Sequence, residues 1–194
     1  MNTAGVLLAA GASRRYGNDD KLLAPLLGRL LIDYSADAMR GASLDILIAV
    51  VANENVAARL EGFHLVWGSE KTGDFLLSDS IKAGISRARS LGADRALIAL
   101  GDMPGVTCGL LSRVVQRCSM DMPSATSAGA GPMVPACFPR RFFPELMNVE
   151  GDTGARSLLL NIPDEAVVGA SAAELCDFDT RDDFPGKSDC GRSV

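Results

Sequence analysis

Short apolar runs alternate along this chain with stretches whose apolar residues recur at helical spacing, and that alternation limits the folds open to it. Residues 6–10 are strand-like and end in a glycine-containing turn. Residues 30–39 fit a helix with Leu31, Tyr34 and Ala38 near one face. Residues 45–51 form a second apolar run, short enough for a buried parallel strand. A short helix is predicted over 56–60 and a third strand over 63–67. Leu77, Ile81, Ile85 and Ala88 recur about every four residues, which makes one apolar stripe on a helix. Residues 96–100 read as a fourth strand, closed by Gly101-Asp102. Thr107 is a candidate cap for a helix carrying Leu110, Leu111, Val114, Val115 and Cys118. Further on, 132–138 reads as extended, 153–161 as a helix with Ala155, Leu158 and Leu159 inward, and 166–168 as a late strand. Strands separated by helices imply a parallel or mostly parallel sheet covered by helices on both faces. Ligands of such sheets bind beyond the carboxyl ends of the strands.

The chain has 194 residues, 47% of them hydrophobic, which is enough for one sizeable core. No Ser/Gly/Pro-rich stretch or charge block divides it, so residues 1–185 are expected to form a single domain. Residues 186–194 are polar and are expected to form a mobile tail. A net charge of -5 argues against a general nucleic-acid binder and leaves room for a local basic pocket. The apolar run 4–10 resembles the core of a signal peptide, but no Lys or Arg precedes it and it is too short to span a bilayer. A buried strand explains it better, and no membrane partner is expected. The five cysteines are odd in number and include no C-x-x-C pair. They read as free thiols in a reducing cytoplasm, and zinc is not expected. His64 is the single histidine and lies in the predicted third strand, where a structural or surface role is the better reading than a catalytic base.

Three groups of residues have the chemistry for a polyphosphate. The turn after the first strand contains Gly11, Ser13, Arg14, Arg15 and Gly17, followed by Lys21. Glycines let backbone N–H groups approach an anion, and the cationic side chains supply charge. The turn lacks the Gly-Lys-Ser/Thr of a Walker A loop and the G-x-G-x-x-G of a dinucleotide fingerprint. On composition alone a solvated basic turn is an equally good reading. After the fourth strand, Asp102 stands in Gly101-Asp102-Met103-Pro104. A carboxylate there is well placed to hold Mg²⁺, which takes one or two carboxylates together with phosphate oxygens and water. A third, acidic group comprises Asp177, Asp179, Asp182 and Asp183; on a strand, Asp177 and Asp179 would point the same way and one of them could complete a metal site, whereas by itself the group reads better as an acidic surface turn. Together the groups suggest attack of an acceptor oxygen on the α-phosphorus of a nucleoside triphosphate, with loss of pyrophosphate. Such chemistry needs positioning and charge neutralisation more than a protein nucleophile, so a shortage of histidines is no obstacle.

These residues also form a familiar series. Leu8-Ala9-Ala10-Gly11-x-Ser13-x-Arg15-x-Gly17, then Lys21-Leu22-Leu23, Pro25-Leu26 and Gly28, closely resembles the opening of the MobA-like NTP transferases. Ser78-x-Ser80-Ile81-x-Ala83-Gly84, Gly101-Asp102-Met103-Pro104, Gly151-Asp152-x-Gly154-Ala155-Arg156 and Asp177-x-Asp179-Thr180-x-x-Asp183 resemble later segments of that family in the same order. The branch this chain is most similar to is the molybdenum cofactor cytidylyltransferases.

The resemblance implies an α/β, Rossmann-like three-layer nucleotidyltransferase fold of the nucleotide-diphospho-sugar transferase type. It implies a nucleotide site on Ala9, Ala10, Gly11, Ala12, Ser13, Arg14, Arg15 and Lys21, with Ser78 and Ser80 near the base and sugar. Arg15, Lys21 and Asp102 would be the catalytic groups, and Asp102 and Asp179 would hold Mg²⁺. The guanylyl branch usually has Gly where this chain has Ala10, which favours CTP over GTP. The acceptor implied is molybdopterin, with a molybdoenzyme or its chaperone as delivery partner. The chain departs from the pattern at Tyr16, where Met is usual, and in the extended gap Asn18-Asp19-Asp20 before Lys21. The family's Gly-His-Pro is Gly131-Pro132 here, without the His, so the acceptor stays open. A sugar phosphate or another phosphorylated small molecule is the alternative acceptor. A non-catalytic nucleotide- or cofactor-binding module is a third reading.

Overall fold

The computed structural model describes residues 1–11, 16, 20–68, 76–180 and 183. The strands are β1 (Thr3–Ala9), β2 (Pro25–Leu26), β3 (Arg29–Leu30), β4 (Ile46–Val51), β5 (His64–Trp67), β6 (Arg95–Leu100), β7 (Ser124–Ser127), β8 (Met133–Pro139) and β9 (Val167–Gly169). The α-helices are α1 (Leu31–Gly41), α2 (Glu54–Ala57), α3 (Leu77–Ser90), α4 (Cys108–Arg117) and α5 (Phe143–Leu146). A 3-10 turn spans Lys21–Leu23 and a 3-10 helix spans Gly151–Leu159.

One seven-stranded sheet runs in the order β5-β4-β1-β6-β8-β7-β9. β1 is central and pairs in parallel with β4 and β6; Leu8 faces Val50 on one side and Leu100 on the other. β5 extends the sheet in parallel beyond β4. The carboxyl ends of β1, β4 and β6 therefore open onto the same edge. β8 is antiparallel to β6 and to β7, while β9 is parallel to β7. The reversal follows from chain connectivity. α4 carries the chain past one vacant place to β7, and a hairpin folds β8 back into that place. The connecting loop holds Gly129 and Gly131 at φ of 98° and 101°, a left-handed conformation that costs glycine little.

Alternation along the central strands sorts side chains into two layers. Leu7, Ala9, Ala49, Val51, Leu97 and Ala99 pack with α1 and α4 on one face. Val6, Leu8, Ile48, Val50, Ala96 and Ile98 pack with Ile81, Ile85 and Ala88 of α3 on the other. α3 lies very close to the sheet, for a Cβ on Gly84 would stand 2.3 Å from Val6 Cγ1. The fold is thus a three-layer α/β arrangement, with a mostly parallel, mixed sheet.

The main strands and helices lie where the apolar patterns put them, with differences at the margins. The short helix expected over 56–60 begins earlier, at Glu54, because the Asn53 side chain accepts from Asn55 N at 2.8 Å and caps it there. The helix expected over 153–161 is a 3-10 helix starting at Gly151. β7 is buried but composed of Ser-Ala-Thr-Ser, so no apolar run announces it. The hairpin β2–β3 and helix α5 are too short for a periodic signal. Residues 177–179 carry no strand, which corrects the picture of Asp177 and Asp179 alternating on one. His64 is exposed on β5. No helix among the described residues is long and apolar enough to cross a membrane. Residues 186–194, expected to be a mobile tail, lie outside the described residues.

Candidate active site

Three chain segments meet at the carboxyl ends of β1 and β6. The first follows β1: Ala9 and Ala10 are buried, and Gly11 is exposed, with no atom of the described residues within 4 Å of where a Cβ would stand. Ala12, Ser13, Arg14 and Arg15 of the expected nucleotide loop lie outside the described residues, as do Gly17, Asn18 and Asp19. The chain is described again at Asp20, whose carboxylate caps the 3-10 turn by accepting from Leu22 N at 3.0 Å. Asn53, just beyond β4, donates to the other Asp20 oxygen at 3.0 Å. The turn that carries Lys21 is thereby tied to the neighbouring strand end.

The second segment follows β6. Gly101 N donates to Leu8 O at 2.9 Å, so the turn after β6 remains in the sheet's hydrogen-bond pattern up to the residue before Asp102. Ser35, buried on the inner face of α1, reaches the Gly101 carbonyl at 3.2 Å and the Met103 carbonyl at 3.4 Å. Both neighbours of Asp102 are thus held from below. The third segment is pinned to this turn by Phe178 N, which donates to Asp102 O at 3.0 Å. Asp179 follows at once. Asp183 shapes that bend, accepting from Asp179 N at 2.8 Å, Thr180 N at 2.6 Å and Thr180 Oγ1 at 3.0 Å.

Lys21 sits where the three segments converge. Its Nζ lies 2.6 Å from Asp102 Oδ2 and 2.7 Å from Asp179 Oδ1. Burial disfavours charge on Lys21, but the attraction and hydrogen bonds of Asp102 and Asp179 outweigh it and raise its pKa above the ordinary lysine value. The Asp102 pKa is raised as well. Burial is the chief cause, Lys21 opposes it, and the charge of Asp177 adds to it. Both shifts have one sense: a desolvated site rich in carboxylates retains positive charge. Asp102 Oδ1 is buried and has no hydrogen-bond partner among the described residues. A buried carboxylate oxygen left unsatisfied beside a second carboxylate fits a hard divalent cation. No group of three or more Asp, Glu, His or Cys side chains suited to a metal occurs among the described residues. A pair suits Mg²⁺, whose remaining ligands are phosphate oxygens and water.

Ser78 and Ser80 open α3 and are buried. The structure brings Lys21, Asp102 and Asp179 together, and Asp177 acts on Asp102 through its charge. Four participants carried no assigned role in the sequence reading: Asp20, Ser35, Asn53 and Asp183. Asp20 and Asn53 stand at cap positions, a signal that sequence offers. Ser35 on an otherwise apolar helix face offers none, since a serine there reads as a tolerated small residue.

Lys21, Asp102 and Asp179, gathered at the shared edge of β1 and β6, fit a nucleotidyltransferase. The chain belongs to the MobA-like NTP transferase family, whose domain model matches residues 5–166. It is 30% identical over 192 residues to purine catabolism protein PucB of Bacillus subtilis, covering 93% of each chain. It is 30% identical over 175 residues to nicotine blue oxidoreductase of Paenarthrobacter nicotinovorans, covering 82% of each. Among solved structures, Rv0371c of Mycobacterium tuberculosis superposes with a TM-score of 0.79 at 26% identity over 94% of this chain and 96% of that one. The manganese complex of the same protein superposes with a TM-score of 0.76 at 25% identity, over 94% and 96%.

Proposed function

We propose that this enzyme transfers CMP from CTP to the phosphate of molybdopterin cofactor in the cytoplasm, with Mg²⁺ held by Asp102 and Asp179. The observation that carries this reading is the convergence of Lys21, Asp102 and Asp179 on one point at the ends of β1 and β6. When bound there, the divalent cation supplies positive charge for the phosphate oxygens. The manganese complex of Rv0371c supports a divalent cation in this family. The loop from Ala9 to Arg15 would cradle the triphosphate, with Arg14 and Arg15 adding charge to its backbone donors. Ser78 and Ser80, at the start of α3, would border the base and sugar. The acceptor's phosphate oxygen attacks the α-phosphorus, the bond from that phosphorus to the bridging oxygen breaks, and pyrophosphate leaves. Nothing in this sequence of events asks for a protein nucleophile.

Ala10 supports CTP over GTP. It is buried at the end of β1, where the guanylyl branch usually has glycine, and its methyl would narrow the wall beside the base. The acceptor reading rests on the family resemblance, and a molybdoenzyme or its chaperone would receive the product. A second acceptor class, a sugar phosphate or another phosphorylated small molecule, is favoured by one feature: the loop at Gly131-Pro132 has no histidine. The names of the relatives, which include a purine catabolism protein and an oxidoreductase, fit an acceptor end that varies within the family.

Pyrophosphate release with Mg²⁺, measured for each of the four NTPs with and without molybdopterin, tests the reading. Release that requires both CTP and molybdopterin is expected. Release with another NTP replaces the base assignment, and release only with a sugar phosphate replaces the acceptor.

A further inference from the structure

The turn that carries Asp102 lies past the end of β6, so its carbonyls draw on donors outside any strand ladder or helix. Asp102 O accepts from Phe178 N at 3.0 Å, and Met103 O accepts from Val106 N at 3.2 Å. Gly101 O is reached by a side chain instead. Ser35, buried on α1, has its Oγ 3.2 Å from Gly101 O and 3.4 Å from Met103 O. A serine inside a helix ordinarily gives its hydroxyl to solvent or to a carbonyl one turn back. Ser35 offers its proton to a turn 66 to 68 residues further along the chain. Ile32, three residues earlier on the same face of α1, closes on that turn as well: a Cβ on Gly101 would stand 3.0 Å from Ile32 Cδ1. Packing at Ile32 sets how near the turn lies to α1. The directed bond from Ser35 sets how the Gly101–Asp102 peptide plane is rotated. The next plane, Asp102–Met103, is set by Phe178 N. With both planes fixed, the direction in which the Asp102 side chain leaves the backbone is fixed too.

We propose that Ser35 is a positioning residue for the transfer reaction: its hydroxyl holds the peptide plane before Asp102 and so aims the Asp102 carboxylate. The proposal rests on the reading of Asp102 as a carboxylate that serves the cation. Ser35 acts only through Asp102. Its loss leaves the charge of the site in place and misdirects it. The cost therefore falls on the transition state, where geometry is most exacting, rather than on binding of the nucleotide.

The test compares wild type, Ser35→Ala and Ser35→Cys as full chains by two readouts. The first is pyrophosphate release with Mg²⁺, using the NTP and acceptor that support release by the wild type, expressed per folded chain from circular dichroism. Ser35→Ala is expected to lower kcat about tenfold, with KM for the nucleotide changed by less than about twofold. A purely structural role would lower the thermal midpoint and leave kcat per folded chain as it was, and that result overturns the proposal. The second readout needs no turnover. It is amide hydrogen exchange at Gly101 and Phe178, the donors to Leu8 O and Asp102 O. Both are expected to exchange about tenfold faster in Ser35→Ala, with Cys118, bonded to Val114 O at the end of α4, unchanged. Unchanged exchange at Gly101 and Phe178 overturns the proposal. Ser35→Cys, close in size but with a weak S–H donor, takes the place of Ser35→Ala if that variant does not fold, and wild-type kcat in it overturns the proposal too. Absence of release by the wild type with every NTP and acceptor overturns the transfer reading of the site; exchange at Gly101 and Phe178 then decides whether Ser35 holds the Asp102 turn.

Discussion

Asn53 donates a hydrogen bond to Asp20 across two loops, at 3.0 Å, and so joins the end of β4 to the turn that carries Lys21. The same Asp20 carboxylate caps that turn through Leu22 N. The last residue of the extended gap before Lys21 is thus an anchor for the turn that carries it.

Asp20→Ala removes both bonds and is expected to cost about 2 kcal/mol, whereas Asp20→Asn keeps the cap and is expected to cost about 1 kcal/mol. Urea unfolding measures both. Loosening the turn should also lower kcat/KM for the nucleotide by about tenfold in Asp20→Ala, since misplacing a charged group costs positioning. No loss in Asp20→Asn would mean that the link to Asn53 contributes nothing, and equal losses in the two variants would mean that the cap contributes nothing.

Asp102→Asn keeps the shape of the side chain and removes its charge. Turnover is expected to fall by about a thousandfold, with an unchanged circular dichroism spectrum. Steady-state pyrophosphate release at saturating nucleotide checks this, and near-normal turnover would remove Asp102 from the cation site.

Gly105 lies under the chain that leads to Asp177 and Asp179. A Cβ there would stand 2.4 Å from the Ala173 carbonyl oxygen and 2.9 Å from Glu174 Cα, and backbone cannot swing aside as a side-chain end does. Gly105→Ala is expected to cost about 1–3 kcal/mol and to lower activity with it, because the displaced segment carries Asp179. Gly109, on α4, is the control. Its nearest neighbour is Thr107 Oγ1 at 3.9 Å, and Gly109→Ala is expected to gain about 0.5 kcal/mol through a better helix propensity. Thermal unfolding of the two variants should therefore move in opposite directions.

Asp33, in the first turn of α1, takes a two-pronged contact from Arg59, at 2.9 Å to Oδ1 and 2.8 Å to Oδ2. Those hydrogen bonds hold its carboxyl below the usual range, with burial opposing them. A carboxylate whose folded pKa is depressed stabilises the fold above its unfolded pKa of about 3.9 and loses that contribution as pH falls through the lower folded value. Asp33→Asn is expected to be less stable than the wild type at pH 7. The gap should narrow as pH drops below the ordinary carboxylate value. Urea midpoints across that range check it, and a gap independent of pH would assign the effect to packing.

Much of this architecture is written in local pattern. Apolar runs and helical stripes depend on residues two to four apart, so β1, β4, β6, α3 and α4 are legible without any partner. The place of Asp102 is legible for the same reason, because it follows directly from the end of a recognisable strand. The basic loop after β1 is legible as composition, and the order of the motifs points to nucleotidyl transfer. β7 escapes this reading because a buried Ser-Ala-Thr-Ser strand gains its stability from β8 and β9 rather than from its own hydrophobicity.

Tertiary structure alone decided the rest. Lys21 and Asp179 are 158 residues apart, and nothing in either neighbourhood says that they share a hydrogen bond. Ser35 supports the Asp102 turn only because α1 packs its inner face against that turn. Sequence by itself determined which residue types the site contains and at which strand ends they stand, because those follow from short-range periodicity. Which carboxylate meets which cation is set by how distant segments pack, and that is why the lysine expected to await a triphosphate instead lies between the two carboxylates expected to hold a metal.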